Sequence, residues 1–201
     1  MRYNIFKQLL KTHLNAELRK EGICMNAMDN LFARRSIRSF TGEPLSREMI
    51  NQLLKAAYAA PVGMGRYDSL HITVVTNRDY LNALQSAFAS HTGRPGAQPL
   101  YGAPVLIILS SIFPGIPTDN SSYSNTAIIS QNIALAATAM GVGACHIWGV
   151  IRALNTCPQL LRKLNLPEGF MPCCGVALGY TQETYTVREI AKDRIMTAFL
   201  D

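Results

Sequence analysis

Histidine, tryptophan and charge are all sparse in this chain, and each shortage closes off a class of function. Four histidines are scattered through 201 residues with no metal-ligand spacing. The five cysteines, Cys24, Cys145, Cys157, Cys173 and Cys174, build no regular framework and include no CxxC pair, so neither a structural zinc nor a dithiol redox centre is indicated. An odd thiol count without a secretory leader fits a reducing cytosol. Cys173 and Cys174 open an apolar run, where buried, inert thiols are expected. The apolar stretches stop short of the ~20 residues that cross a bilayer, so no membrane span is expected. There is no Gly-x-x-x-x-Gly-Lys-Ser/Thr phosphate loop, and no Ser-His-acid arrangement can be argued from residue order. Gly141-Val142-Gly143 fails as a dinucleotide fingerprint, because it closes a helical pattern and leads into a strand, with His146 at the third-glycine position.

What is present is an apolar chain with a basic excess. Apolar residues make up 48% and charged residues only 16%, a globular profile sized for one domain with a substantial core. Nineteen Lys and Arg against thirteen Asp and Glu give a net charge of +6. That excess suits nucleic acid, anionic membranes or phosphorylated ligands. No dense basic tract or zinc-finger spacing accompanies it, and the phosphates of a small ligand would account for some of the excess equally well.

The periodicity predicts helices and strands in alternation. Ile5, Phe6, Leu9, Leu10, Leu14 and Leu18 form one stripe of a helix over residues 1–24. Lys7, Lys11 and His13 interrupt its apolar residues, so it does not read as a signal peptide. The stripe must be covered by the domain or by a second subunit, and a dimer contact is the expectation; a start at Met25 or Met28 would remove it. Residues 25–201 then form the single domain. Within it, Ser46 caps a helix that runs to Pro61, Leu70 to Val75 is a strand, and Asn77 caps a helix carrying Tyr80, Leu81, Leu84 and Phe88. His91 to Tyr101 reads as a loop, Val105 to Ser110 as a buried strand, and Ser124 to Met140 as a nearly uncharged central helix. Cys145 to Ile151 and Cys173 to Leu178 are expected strands, with a short helix at Gln159 to Leu164 between them. Strand order does not follow from this pattern.

Four blocks carry the chemistry. In Leu31-Phe32-Ala33-Arg34-Arg35-Ser36-Ile37-Arg38-Ser39-Phe40, three arginines and a serine lie between aromatic anchors. Guanidinium groups make paired hydrogen bonds to phosphate. Taken alone the segment also reads as a solvated basic helix end, but if it is extended, alternate residues point the same way, which would group Arg34, Ser36 and Arg38 and turn Arg35 elsewhere. Ala59-Ala60-Pro61-Val62-Gly63-Met64-Gly65 closes a helix and opens a loop. Ser130 to Cys145 runs into His146-Ile147-Trp148-Gly149, and Gly175-Val176-Ala177-Leu178-Gly179-Tyr180 precedes Arg188.

In this order and spacing the four blocks resemble the nitroreductase family of flavin mononucleotide (FMN) enzymes, from about Met28 to about Arg188. The resemblance implies an α+β fold with a central, mainly antiparallel sheet flanked by helices, in an intertwined homodimer with flavin sites at the interface. It implies FMN contacts from Arg34, Ser36 and Arg38, from Arg35 in some members, and from Arg188 as a C-terminal cation on the phosphate. Many relatives carry Pro-Ser-x-x-Asn where this chain has Pro61-Val62-Gly63-Met64-Gly65. Gly65 falls at the Asn position, so the backbone N–H groups of Gly63, Met64 and Gly65 are the expected replacement. Asn125 aligns with a polar flavin contact, and Ile147, Trp148 and Gly149 with backbone donors beside the reactive ring. Trp148 stands where some relatives have Glu; its alternative is a core tryptophan, and that of His146 a satisfied core histidine. The implied activity passes hydride from NADH or NADPH, through flavin, to a nitroaromatic, quinone or similar acceptor, in the cytoplasm and with no side-chain nucleophile. The competing reading is an FMN-binding storage or sensor protein without efficient turnover.

Overall fold

Three short polar side chains begin the first three helices of the computed structural model, which describes residues 26–113, 115 and 119–200. Asn26 accepts from the Asp29 N–H and starts α1 (Ala27–Ala33). Ser46 accepts from the Met49 N–H and starts α2 (Arg47–Tyr58); Asn77 accepts from the Tyr80 N–H at 2.8 Å and starts α3 (Arg78–Thr92). Each cap satisfies a first-turn donor that the helix itself cannot. The helix expected over residues 1–24, and Cys24 with it, lies outside the described residues.

Four strands form one antiparallel sheet: β1 (Leu70–Val75), β2 (Val105–Ile112), β3 (Gly143–Ile147) and β4 (Phe170–Gly179), in the order β1-β2-β4-β3. No parallel βαβ unit exists in this sheet, which removes the dinucleotide-fold alternative on topology as well as on motif. The period-2 alternation of β2 divides the core cleanly. Val105, Ile107 and Leu109 face a cluster built with Ile50, Leu53 and Ala57 of α2 and with α4 (Ser121–Ala139). Leu106 and Ile108 face the opposite cluster, with Leu81 and Leu84 of α3, α5 (Gly149–Asn155) and α6 (Pro158–Lys163). The result is a sheet covered by helices on both faces, and β2 is buried from Val105 through Ser111.

The central helix is α4. It carries no Asp, Glu, Lys, Arg or His, and its hydroxyls bond back to its own turns, Thr126 to Ser122 O and Thr138 to Ala134 O. Back-bonding lets a Ser- and Thr-rich helix be buried without orphaned donors.

One expected element is wrong. The strand expected over Cys145 to Ile151 ends at Ile147, and residues from Gly149 on form α5. Val150, Ile151, Ala153 and Leu154 are all buried against the sheet and α3 at helical spacing. A short apolar run fits period 2 and period 3.6 equally well, which is how the sequence misleads here. The helix of α3 also continues to Thr92, into the segment expected as loop, before Gly93 ends it in the left-handed region.

Candidate functional site

Arg34 ends α1, and the chain beyond it is extended. The Ile37 N–H donates to Ala144 O at 2.9 Å and the Thr41 N–H to Tyr180 O at 2.9 Å, which lays this segment across the ends of β3 and β4. Its seat is made of missing side chains. Gly143 and Gly179 are register partners, and a Cβ on either would stand 2.9 or 3.1 Å from the Phe40 ring. Ile37 is fully buried, so the alternation sends Ser36 and Arg38 the other way.

Arg34, Ser36 and Arg38 converge on Cys145. Burial pushes the Cys145 thiol up, while Arg38, the Ser36 hydroxyl and Arg34 pull it back toward the thiolate. Arg34 also acts, after burial, to hold His146 below the usual histidine range. The His146 ring is satisfied, with Nδ1 3.2 Å from Ser130 Oγ and Nε2 3.2 Å from Gln131 Oε1, so it is a neutral link from β3 to α4 rather than a proton donor.

The other two cations have different partners. Arg35 turns away, as alternation requires, and pairs with Glu183 at 3.0 Å while donating to Thr184 O. Arg188 is not a free tail residue. Its Nε donates to Phe32 O at 3.0 Å and its Nη2 to Arg34 O at 2.6 Å, so it satisfies carbonyls at the end of α1 and sits beside Arg34.

The loop after Pro61 is a tight turn over Gly63–Gly65. Met64 occupies the left-handed region at φ 56°, ψ 15°, and Gly65 follows at φ 65°. Asn125, 8% exposed in α4, accepts the Gly63 N–H at 3.0 Å. The Gly65 N–H donates to Val62 O at 3.0 Å. Two of the three backbone donors expected to serve a ligand are therefore committed to shaping the loop, and the Met64 N–H is the one left over. The Met64 side chain is 86% exposed, and nothing lies within 4 Å of where a Gly65 side chain would begin.

At the end of β3, Ile147 is buried and Trp148 is 49% exposed, which excludes the core-tryptophan reading. Gly149 is held against α3, since a Cβ there would lie 2.8 Å from Phe88 Cε2. No side chain caps α5, so its first-turn N–H groups remain donors beside the indole.

These parts fall into two groups. The loop is anchored at Asn125, near the start of α4; α1 is anchored by Asn30 Nδ2 to Leu135 O, ten residues further along. At 1.5 Å per residue the two anchors are about 15 Å apart. The first group, Arg34, Ser36 and Arg38 with Arg188 beside them, has the donors a phosphorylated polar ligand needs; the second presents open glycine backbone and an exposed thioether. The Asn125–Gly63 bond and the Phe40 seat were not foreseen from sequence, although Gly143 and Gly179 lie in two of the singled-out blocks.

Comparison with known proteins identifies a family for the chain. The sequence profile described as the Nitroreductase family matches residues 31–180. A protein of Methanothermobacter thermautotrophicus, named as a candidate NADH dehydrogenase/NAD(P)H nitroreductase, is 29% identical over 184 residues, covering 89% of this chain and 87% of the relative. The FMN reductase (NADPH) of Bacillus subtilis is 26% identical over 166 residues, 77% of this chain and 66% of the relative. The crystal structure of a nitroreductase with bound FMN from Desulfitobacterium hafniense DCB-2 matches with a TM-score of 0.73 at 26% identity, covering 88% of this chain and 100% of that one.

Proposed function

The chain belongs to the nitroreductase family, and from that premise we propose that it is an FMN-dependent oxidoreductase, taking hydride from NADH or NADPH and reducing a small acceptor such as a nitroaromatic or a quinone. The observation that carries this reading is the convergence of Arg34, Ser36 and Arg38 on one side of an extended segment, around Cys145. Guanidinium pairs match phosphate, and a hydroxyl between them suits a ribityl chain. Bound FMN supplies the hydride chemistry.

The remaining roles belong to the protein. Arg34, Ser36 and Arg38 bind and orient the phosphorylated end, and Arg188 keeps Arg34 in place through its carbonyl. The Ile147-Trp148-Gly149 turn offers backbone donors, with Phe88 fixing its position behind Gly149. Asn125 holds the Gly63–Gly65 loop in shape through the Gly63 N–H. No acid or base is required of the chain, and His146 is committed to Ser130 and Gln131.

The loop is tied to α4 at Asn125, while Arg34 acts on His146, which meets α4 at Ser130 and Gln131, about 7–9 Å further along in one copy. A homodimer, in which a second chain brings its loop to the first chain's arginines, closes the site. The exposed apolar side chains of Met64, Tyr67, Ile128 and Trp148 support such a contact.

The test is an absorbance spectrum of the purified protein, followed anaerobically as NADH or NADPH is added. A flavin spectrum that bleaches is the expected result. Failure to retain FMN after reconstitution removes the proposal, and a spectrum that persists with both nucleotides replaces it with a binding-only role.

A further inference from the structure

A cleft of about 550 Å³ opens where β1 ends and β2 begins, between the starts of α2 and α3. Its floor is apolar, with Leu45, Ile50 and Val105 at 7%, 4% and 1% exposure. Its walls carry two cations, Arg47 and Arg78, the first residues of α2 and α3, together with Thr76. None of these residues belongs to the arrangement proposed for FMN.

The two guanidinium groups are under-used. Arg78 Nη2 makes a long hydrogen bond to Gly42 O at 3.4 Å, which steadies the side chain and leaves most of its donors available. The Arg47 side chain has no hydrogen bond or ion pair with another described residue. No Asp or Glu lines the cleft. Glu48, one residue along, has its carboxylate held by its own N–H and the Ser46 hydroxyl, which lower its pKa. The helix ends themselves are already capped by Ser46 and Asn77, so the charge of the opening comes from the arginines. Two like charges left unneutralised beside an apolar floor do nothing for the fold, yet together they make a built recognition pattern. The volume lies within the range of small-ligand pockets.

We propose that this cleft binds a small amphipathic oxyanion, with its carboxylate or phosphate held by Arg47 and Arg78 and its apolar body resting on Leu45, Ile50 and Val105. Both head groups present two or more anionic acceptor oxygens that a guanidinium can bond in pairs.

The experiment is an amide NMR titration of the FMN-loaded protein with three probes that share one ring system: 2-naphthoate, 2-naphthyl phosphate and the neutral 2-naphthalenemethanol. Both anions should produce saturable shifts at Thr76 and Val105, with the neutral probe at least tenfold weaker. The tighter anion identifies the head group. The R47A/R78A double variant should weaken both anions at least tenfold while leaving the flavin spectrum unchanged. The proposal is overturned if the parent shows no saturable shift at Thr76 and Val105, or if the neutral probe binds equally. Shifts confined to Ile147–Gly149 would overturn it too, because the anions would then occupy the proposed flavin region. Undiminished binding by the double variant has the same force.

Discussion

Adding one methyl group at Gly143 should unseat the basic segment. The backbone there is ordinary strand, so alanine carries no conformational penalty and should recover about 0.5–1 kcal/mol of chain entropy. Against that gain, its Cβ would meet Phe40 Cε1 at 2.9 Å, Gly179 O at 3.1 Å and Ile37 Cγ2 at 3.1 Å. Overpacking of this kind costs about 1–3 kcal/mol. The middles of the two ranges leave a net loss of about 1 kcal/mol, or roughly 2–4 °C in Tm for a chain of this size. Gly179→Ala should cost more, since its Cβ would lie 2.6 Å from Pro104 Cδ, on a ring that cannot rotate away. The assay is thermal unfolding of both variants, each with and without Phe40→Ala, scored as double-mutant cycles. Phe40→Ala should relieve Gly143→Ala by about 1 kcal/mol and Gly179→Ala by less, because Pro104 remains. Strict additivity in the Gly143 cycle, or a Gly143→Ala variant as stable as the parent, would refute the seat described for Phe40. Flavin content should fall with Gly143→Ala, since Arg38 lies two residues from the displaced ring.

Four further outcomes are expected. Arg38→Ala should weaken FMN by about 10- to 150-fold in a fluorescence titration, from loss of a charge-assisted contact of roughly 1.5–3 kcal/mol; unchanged affinity would remove this arginine from the site. Asn125→Ala should cost about 1 kcal/mol of stability through the Gly63 bond, whereas Asn125→Asp keeps the acceptor and should retain the loop, as judged by thermal unfolding. His146 has a folded pKa below its unfolded value, so its contribution is present above about pH 6.5 and is lost as pH falls through the depressed folded value; His146→Gln should flatten the Tm-against-pH curve in that window. Cys157 should alkylate well before Cys145, Cys173 and Cys174, which are buried with raised pKa values, Cys174 to about 12; peptide mass spectrometry resolves the order.

The elements read correctly from sequence are those with local punctuation. Ser46 and Pro61 bracket α2, Asn77 starts α3, and Leu70 to Val75 is β1 to the residue. The grouping of Arg34, Ser36 and Arg38 was legible because a buried Ile37 and simple alternation decide it. What was not legible depends on partners far away in the chain. Gly63 meets Asn125 across 62 positions and Arg188 meets Phe32 across 156, and no local pattern announces either. The turn at Trp148 escaped for a related reason: the packing of Phe88 behind Gly149 makes a helix of residues whose apolar run suits a strand equally well.

The neutrality of α4 has a consequence for how such a protein can change. That helix holds no Asp, Glu, Lys, Arg or His, and the hydroxyls of Thr126 and Thr138 bond back to its own turns. It behaves as an electrically silent spacer, holding the anchors at Asn125 and Leu135 at a separation that neither acidity nor ionic strength acts on directly. The arginines proposed to choose a ligand are carried on strips laid around it, at residues 34–38 and 188. On that reading, recognition can be rewritten one arginine at a time while the spacing of the two anchors stays fixed.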